Sequence, residues 1–439
     1  MSIRKGIQDI FVWRGLNFLS VLILNILLSR SLQASGAGQL FFTINNLSLL
    51  ILVLSFSLEA GLTYFTANDS IKANVAGWTA LLYTALMSLV TIALFLKWNR
   101  VSGVSGADST PTWQALFFVT GNLLISYFTA LMYARKNFFL PNILLLIVNV
   151  PFIFLFIPPV ASNITHEQLV LAYFATFLLQ GIALAVTYFT TIPIPKFEFV
   201  AWKDIGPLFR YSAAALLGNF IFFFVYRADY WFVERWSTPQ DLGNYIQVSK
   251  LVQWFVIIPS MIGTVLFPLT AIGKDPSLTT KVTTLSRLLF ALFFLICAAL
   301  AITGHFIFPW VFGETYNDMY KIFLLYIPGI LALVALYPVS AWHSGVNRLA
   351  INIKGSLIAL IVILAGNLVF TPRYGMYAAA LISSAAYIVY FIFSLYHFTK
   401  VTNIRSSQFF RFTAGDLDNL KNEFRKDKIL PTTIEKGNT

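Results

Sequence analysis

The sequence predicts an all-α, polytopic membrane protein with about twelve transmembrane helices in two six-helix lobes. Three observations point there. Hydrophobic residues make up 58% of the 439 residues and charged residues only 11%, against roughly 25% charged in ordinary globular domains. Mean hydropathy is +0.76. The apolar residues also gather into runs close to the ~20 residues that a helix needs to cross a bilayer. So few charges cannot coat a folded surface in water. That excludes a soluble enzyme, a disordered chain and a nucleic-acid-binding domain. The excess of 30 Lys and Arg over 18 Asp and Glu therefore reads as a topology signal.

The first run, 11–29, follows a short basic start (Arg4, Lys5). It outlasts the apolar core of a secretory leader, and a chain with many later spans needs no cleaved leader, so it reads as span one. Span two, 39–59, follows the turn-forming stretch Ala34-Ser-Gly-Ala-Gly38. Spans three and four, 77–96 and 113–132, are separated by Ser102-Gly-Val-Ser-Gly106. Span five, 141–157, is short and bounded by Pro141 and Pro158-Pro159. Span six, 168–188, closes the first half. Spans seven and eight, 211–229 and 244–268, precede a break at Gly273-Lys-Asp-Pro276. Spans nine to twelve are 288–308, 322–339, 353–370 and 376–397. Pro259 in span eight and Pro328 in span ten each remove a helix hydrogen bond and are expected bend points.

Placing the N-terminus in the cytoplasm puts 13 Lys and Arg in inside segments and eight more in the tail, against seven outside. Cytoplasmic loops carry the excess of Lys and Arg, so both termini are expected inside, which requires an even number of spans. The longest link between spans holds Pro193, Pro195 and Pro207. It divides the chain into an N-terminal lobe (1–190), a cytoplasmic linker (191–210), a C-terminal lobe (211–398) and a basic cytoplasmic tail (399–439). In the tail, Leu417, Leu420 and Phe424 fall on one stripe of a short helical pattern. A shift of 205 residues lays Gly38 over Gly243. Each opens a span after an outside loop, so spans two and eight run the same way and the halves read as parallel repeats.

One cysteine (Cys297) and four scattered histidines leave no disulfide framework and no metal-ligand spacing. No cofactor and no catalytic set is expected. The informative residues are ionisable groups inside spans, which cost ~2.5–3.5 kcal/mol or more at the bilayer centre and so tend to face protein or water. Arg14 lies on span one near the inner edge; a phosphate contact and simple snorkelling to the headgroups both fit it. Lys250 lies about seven residues into span eight, ~10 Å from the surface at 1.5 Å per residue. Arg227 and Asp229 close span seven, and Asp229 is a candidate partner for Lys250. Glu59 ends span two, where proton uptake and an ion pair with Arg14 are the alternatives. Trp254 and Tyr226 are candidates for stacking on sugar rings, with core packing as the ordinary role.

Several stretches carry a resemblance. Leu28-Ser-Arg30, Gly36-Ala-Gly-Gln-Leu40, Leu58-Glu-Ala-Gly-Leu-Thr-Tyr-Phe65, Arg227-Ala-Asp229, Leu242-Gly-Asn-Tyr245 and Leu266-Phe-Pro-Leu-Thr270 look like the polysaccharide flippases. These belong to the multidrug/oligosaccharidyl-lipid/polysaccharide exporter superfamily. The resemblance covers about residues 5–398. It implies two six-helix lobes around a central cavity in a bacterial inner membrane. It also implies an undecaprenyl-diphosphate-linked oligosaccharide as substrate, with a proton or sodium ion and other polysaccharide-assembly proteins as further partners. It places an acidic residue where Asp229 stands. No apolar pair of runs follows span twelve, which points to the oligosaccharide branch rather than the lipid II branch. On this reading Arg14, Lys250 and Arg227 are the substrate-binding cations, and Asp229 and Glu59 the coupling or gating groups. A cation-coupled drug exporter of the same plan is the first alternative, and a polytopic glycosyltransferase or polymerase the second. The second is disfavoured by short outside loops in which Glu314 and Asp318 are the only close acids.

Overall fold

The computed structural model describes residues 10–102, 112–157, 160, 164–192, 202–272, 278–404 and 406–409. The expected tail helix around Leu417 and the middle of the 191–210 linker lie outside these residues. Among the described residues there is no strand.

A π turn, Ile10–Arg14, leads into α1 (Gly15–Ser55). α1 is two rods: Gln33 has φ 57° and ψ 177°, outside helical space. The sequence places a turn at Ala34–Gly38, but these residues are helical and the break precedes them. The reason is packing. A Cβ on Gly38 would stand 2.7 Å from both the Gly243 nitrogen and the Pro239 oxygen, and one on Gly243 would run into the Ala34 carbonyl. These glycines let two backbones touch; they do not bend the chain. They are also the pair that the 205-residue shift superimposes. The break frees the Ala34 N–H, which donates to Thr315 Oγ1 at 3.0 Å, and Arg30 Nη1 donates to the Trp310 carbonyl at 3.1 Å. Tyr316 is buried beside Gln33; burial holds its phenol above the ordinary tyrosine range and keeps it neutral.

Next come α2 (Leu58–Ala67), α3 (Ala73–Ser102), α4 (Thr112–Ala134), α5 (Phe139–Leu155) and α6 (His166–Thr190). α6 opens on a capping box, in which Thr165 and Gln168 exchange backbone-to-side-chain bonds of 3.1 and 3.3 Å. α4 and α6 meet at Gly121 and Gly181, where a Cβ on Gly181 would lie 2.8 Å from the Gly121 oxygen. Leu58, Leu62, Val119, Leu123, Tyr127, Phe128, Leu184 and Tyr188 form a common core. α7 (Trp202–Arg227) and α8 (Asp229–Trp236) follow, then α9 (Pro239–Phe255), α10 (Ile257–Ile272), α11 (Leu278–Phe312), α12 (Met319–Gly345) and α13 (Leu349–Thr402). α13 breaks at Gly375 (φ 58°, ψ −144°), a conformation that glycine adopts without a Cβ clash.

Among the described residues, nine helical stretches are long and apolar enough to cross a membrane, and Phe139–Leu155 is a shorter apolar helix. The broken α1 carries expected spans one and two, the broken α13 carries eleven and twelve, and α5 is the short span five. Each remaining expected span falls on one stretch. Leu295, Ile302, Phe306 and Trp310 of α11 are exposed, as a surface solvated by lipid requires.

The chain forms two compact units. The first holds 1–248, 305–322 and 367–379; the second holds 249–304, 323–366 and 380–439. In the second unit Phe255 packs on Phe293 and Phe323. Pro328 lies inside α12, which runs on through it as helix, and the next residue, Gly329, donates its N–H to Ser384 Oγ at 2.7 Å. At Pro259 the helix restarts: α9 ends at Phe255 and α10 begins at Ile257.

Candidate functional site

The first unit contains a second helix break, at Phe56 (φ 52°) and Ser57 (φ 49°) between α1 and α2. Consecutive left-handed residues without glycine are costly, and three hydrogen bonds hold them. Tyr127 Oη donates to the Ser55 carbonyl at 2.9 Å, the Ser57 N–H donates to Ser55 Oγ at 3.2 Å, and Asn219 Nδ2 donates to Ser57 Oγ at 3.0 Å. α2 then lies against α7. A Cβ on Gly61 would stand 2.9 Å from the Leu208 carbonyl, and Tyr64 stacks on Tyr211 with ring centroids 4.9 Å apart. Beside this contact runs a cavity of about 910 Å³ walled by Phe56, Phe65, Pro207, Phe209, Tyr211 and Ala213, with Arg210 as the one charged lining residue among the described residues.

Glu59 sits on the first turn of α2, next to the break, and is half-buried. Its Oε2 is buried and has no hydrogen-bond partner among the described residues. Arg14 ends the π turn, exposed, with its guanidinium carbon 5.6 Å from the Phe18 ring centre. Among the described residues the ion pair between Arg14 and Glu59 is not formed. Arg227 is half-buried at the end of α7, 5.5 Å from the Phe223 ring. Asp229 opens α8 and is fully buried; Tyr245 Oη donates to its Oδ2 at 2.5 Å. Lys250 is half-buried on α9. Beside this group, Trp231 Nε1 donates to Asn46 Oδ1 at 2.8 Å. The structure therefore brings Asp229 together with Tyr245, a residue that the sequence reading quoted within a motif but gave no role.

Uncharged polar residues inside the spans also escaped the sequence reading. Asn149 Nδ2 on α5 donates to Ser20 Oγ on α1 at 2.8 Å, and Gln180 Nε2 on α6 donates to Asn149 Oδ1 at 2.7 Å. Gln247 Nε2 donates to Ser29 Oγ. Asn45 is buried, and neither end of its amide has a partner among the described residues. Single amides in apolar runs leave spans recognisable, so composition carries no warning of them. Their signal is that a lone Asn or Gln in hydrocarbon needs a partner on another helix. Among the described residues, no three His, Cys, Asp or Glu side chains gather where they could hold a metal ion.

This architecture has known counterparts. The chain resembles a point mutant of the Vibrio cholerae MATE transporter VcmN at 14% identity and TM-score 0.63, over 92% of this chain and 99% of that one. It resembles an inward-facing multidrug resistance MATE family transporter of the MOP superfamily at 12% identity and TM-score 0.67, over 88% and 94%. It also resembles the lipid II flippase MurJ, inward closed, at 15% identity and TM-score 0.58, over 95% and 93%. At such identities the likeness is one of fold: the chain is folded like these transporters. A family profile described as "Polysaccharide biosynthesis protein" matches residues 169–321, from α6 into α12. No curated protein sequence matches the chain.

Proposed function

We propose that the protein is a flippase for an undecaprenyl-diphosphate-linked oligosaccharide. It carries the headgroup from the cytoplasmic to the periplasmic leaflet of a bacterial inner membrane, for cell-surface polysaccharide assembly. One coincidence supports this reading: a transporter fold whose middle third matches a polysaccharide-biosynthesis family. The chemistry agrees. A diphosphate with a glycan cannot cross ~30 Å of hydrocarbon unaided, whereas its prenyl chain can stay in the bilayer. The groove beside Phe56 and Phe65 has apolar walls for such a chain and one guanidinium, Arg210, to meet a phosphate. Arg14, Arg227 and Lys250 are the proposed cations along the headgroup's path. Asp229 and Glu59 are the proposed coupling or gating groups. The lobes 1–190 and 211–398, joined by 191–210, would alternate access between the two sides, with both termini and the 399–439 tail in the cytoplasm. No covalent step is required.

The test is deletion of the gene in its bacterium, followed by analysis of lipid-linked glycan. Flippase function predicts accumulation of a complete undecaprenyl-linked repeat unit on the cytoplasmic face. A truncated repeat would point to a glycosyltransferase, and normal surface glycan would end the reading. A second reading, a cation-coupled exporter of small molecules, is supported by the higher TM-score to a multidrug transporter than to the flippase (0.67 against 0.58). It predicts drug sensitivity on deletion with surface glycan unchanged.

A further inference from the structure

The first unit has another cavity, of about 580 Å³, which the spans do not account for. Three stretches far apart in sequence build it: the α8–α9 turn, the turn before α12 and the break in α13. The Lys and Arg distribution assigns all three to the outer side of the membrane. Two of its three aromatic members stand open. Trp236 is 40% exposed and held by stacking on Phe232, 5.9 Å between ring centres; Tyr374 is 56% exposed.

Its polar members are fixed but not saturated. Asp241 Oδ2 accepts the Thr238 N–H at 3.0 Å, and Asp318 Oδ1 accepts Lys321 Nζ and Tyr377 Oη, both at 3.0 Å. The other oxygen of each carboxylate accepts no hydrogen bond among the described residues. Ser237 Oγ is buried and has no partner among them either. It faces Gly375, where a Cβ would come within 3.2 Å of it.

The balance of charge selects the ligand. Arg235 and Lys321 offset Asp241 and Asp318. A metal cation would meet two basic groups, and each carboxylate already spends an oxygen on the protein. A phosphate would meet two carboxylates. A neutral polyol meets neither conflict. Its hydroxyls can donate to the spare carboxylate oxygens, while a face of ring C–H groups lies on Trp236 or Tyr374. The volume lies within the range of small-ligand pockets. We propose that this pocket binds a sugar unit of a glycan on the outer side. The chemistry of the pocket stands alone; the choice of a glycan as its source rests on the flippase reading.

The test uses the full chain in phospholipid nanodiscs, free of maltoside detergent, and saturation-transfer NMR. The probes are glucose, galactose, N-acetylglucosamine and oligosaccharide released from the source strain's surface polysaccharide. At least one probe should receive saturation at its ring C–H protons. Trp236→Ala and, on a different turn, Asp318→Asn should each weaken binding by about tenfold or more, with unchanged thermal unfolding. No saturation with any probe, or saturation equal in both folded variants, overturns the pocket. Translocation of a lipid-linked oligosaccharide is measured in parallel. If the pocket fails and translocation persists, the flippase reading stands; if sugar binds without translocation, the pocket stands and that reading falls.

Discussion

The groove beside Phe56 and the pocket beside Trp236 belong to one compact unit, and α7 and α8 run from one to the other. Their linings differ in kind. Among the described residues, the groove is aromatic and aliphatic with a single Arg. The pocket sets two carboxylates, an Arg, two hydroxyl side chains and three aromatic rings around a smaller space. A cavity of the first kind holds a hydrocarbon chain and meets an anion at its edge; one of the second kind suits a hydroxylated ligand. A substrate with a prenyl tail and a glycan head needs both chemistries, and the unit supplies them separately.

The two regions should respond differently to the same kind of insult. Over-packing gives the largest effect. Gly243→Ala drives a methyl into the Ala34 backbone and should cost at the upper end of the ~1–3 kcal/mol typical of over-packing. Gly61→Ala, which meets Ser212 and the Leu208 carbonyl, should cost nearer ~1 kcal/mol. Thermal unfolding of both variants in detergent checks the order, and a reversed order would break the contrast. Tyr245→Phe strips Asp229 of a short donor and should cost ~1.5–3 kcal/mol, the usual worth of a hydrogen bond to a charged group. A stability loss under half of that would mean that the Asp229 carboxyl is not held as a charge.

Charge removal separates transport from folding. Arg210→Gln and Lys250→Ala should each lower export of lipid-linked glycan by several-fold at matched protein level. Neither should change sugar binding at the Trp236 pocket. Normal surface glycan in either strain removes that cation from the mechanism. The smallest effect is expected from Thr238→Ala, which removes the bond from the Asp241 N–H to Thr238 Oγ1, one half of the reciprocal cap at the start of α9. The loss should be ~1 kcal/mol, read by hydrogen exchange confined to the first turn of α9.

Much of the fold was legible because it rests on burial in lipid. Twelve apolar runs, including the short one before Pro158, reappear as helical segments. The breaks were harder. Gly-rich Ala34–Gly38 reads as a turn, yet its glycines serve a backbone contact and the break falls on Gln33, a residue with no turn preference. The paired left-handed residues Phe56 and Ser57 carry no composition signal; tertiary hydrogen bonds from Tyr127 and Asn219 impose them. Asp229 stood out because a charge in an apolar run is expensive. Its partner Tyr245 did not, since tyrosine is common at membrane interfaces. Asp318 was noticed only as one of two nearby acids. Its bond to Lys321 is a local i,i+3 pair, but its bond to Tyr377, 59 residues on, depends on two distant turns meeting, which no local pattern records.

The most direct test reconstitutes the purified protein in vesicles carrying an undecaprenyl-diphosphate oligosaccharide and follows exposure of the glycan to an added lectin. The account predicts that glycan sealed in the inner leaflet becomes lectin-accessible with wild-type protein, does so several-fold more slowly with Lys250→Ala, and stays protected in empty vesicles. Protection equal to that of empty vesicles, in preparations where the protein is folded and correctly inserted, would contradict it.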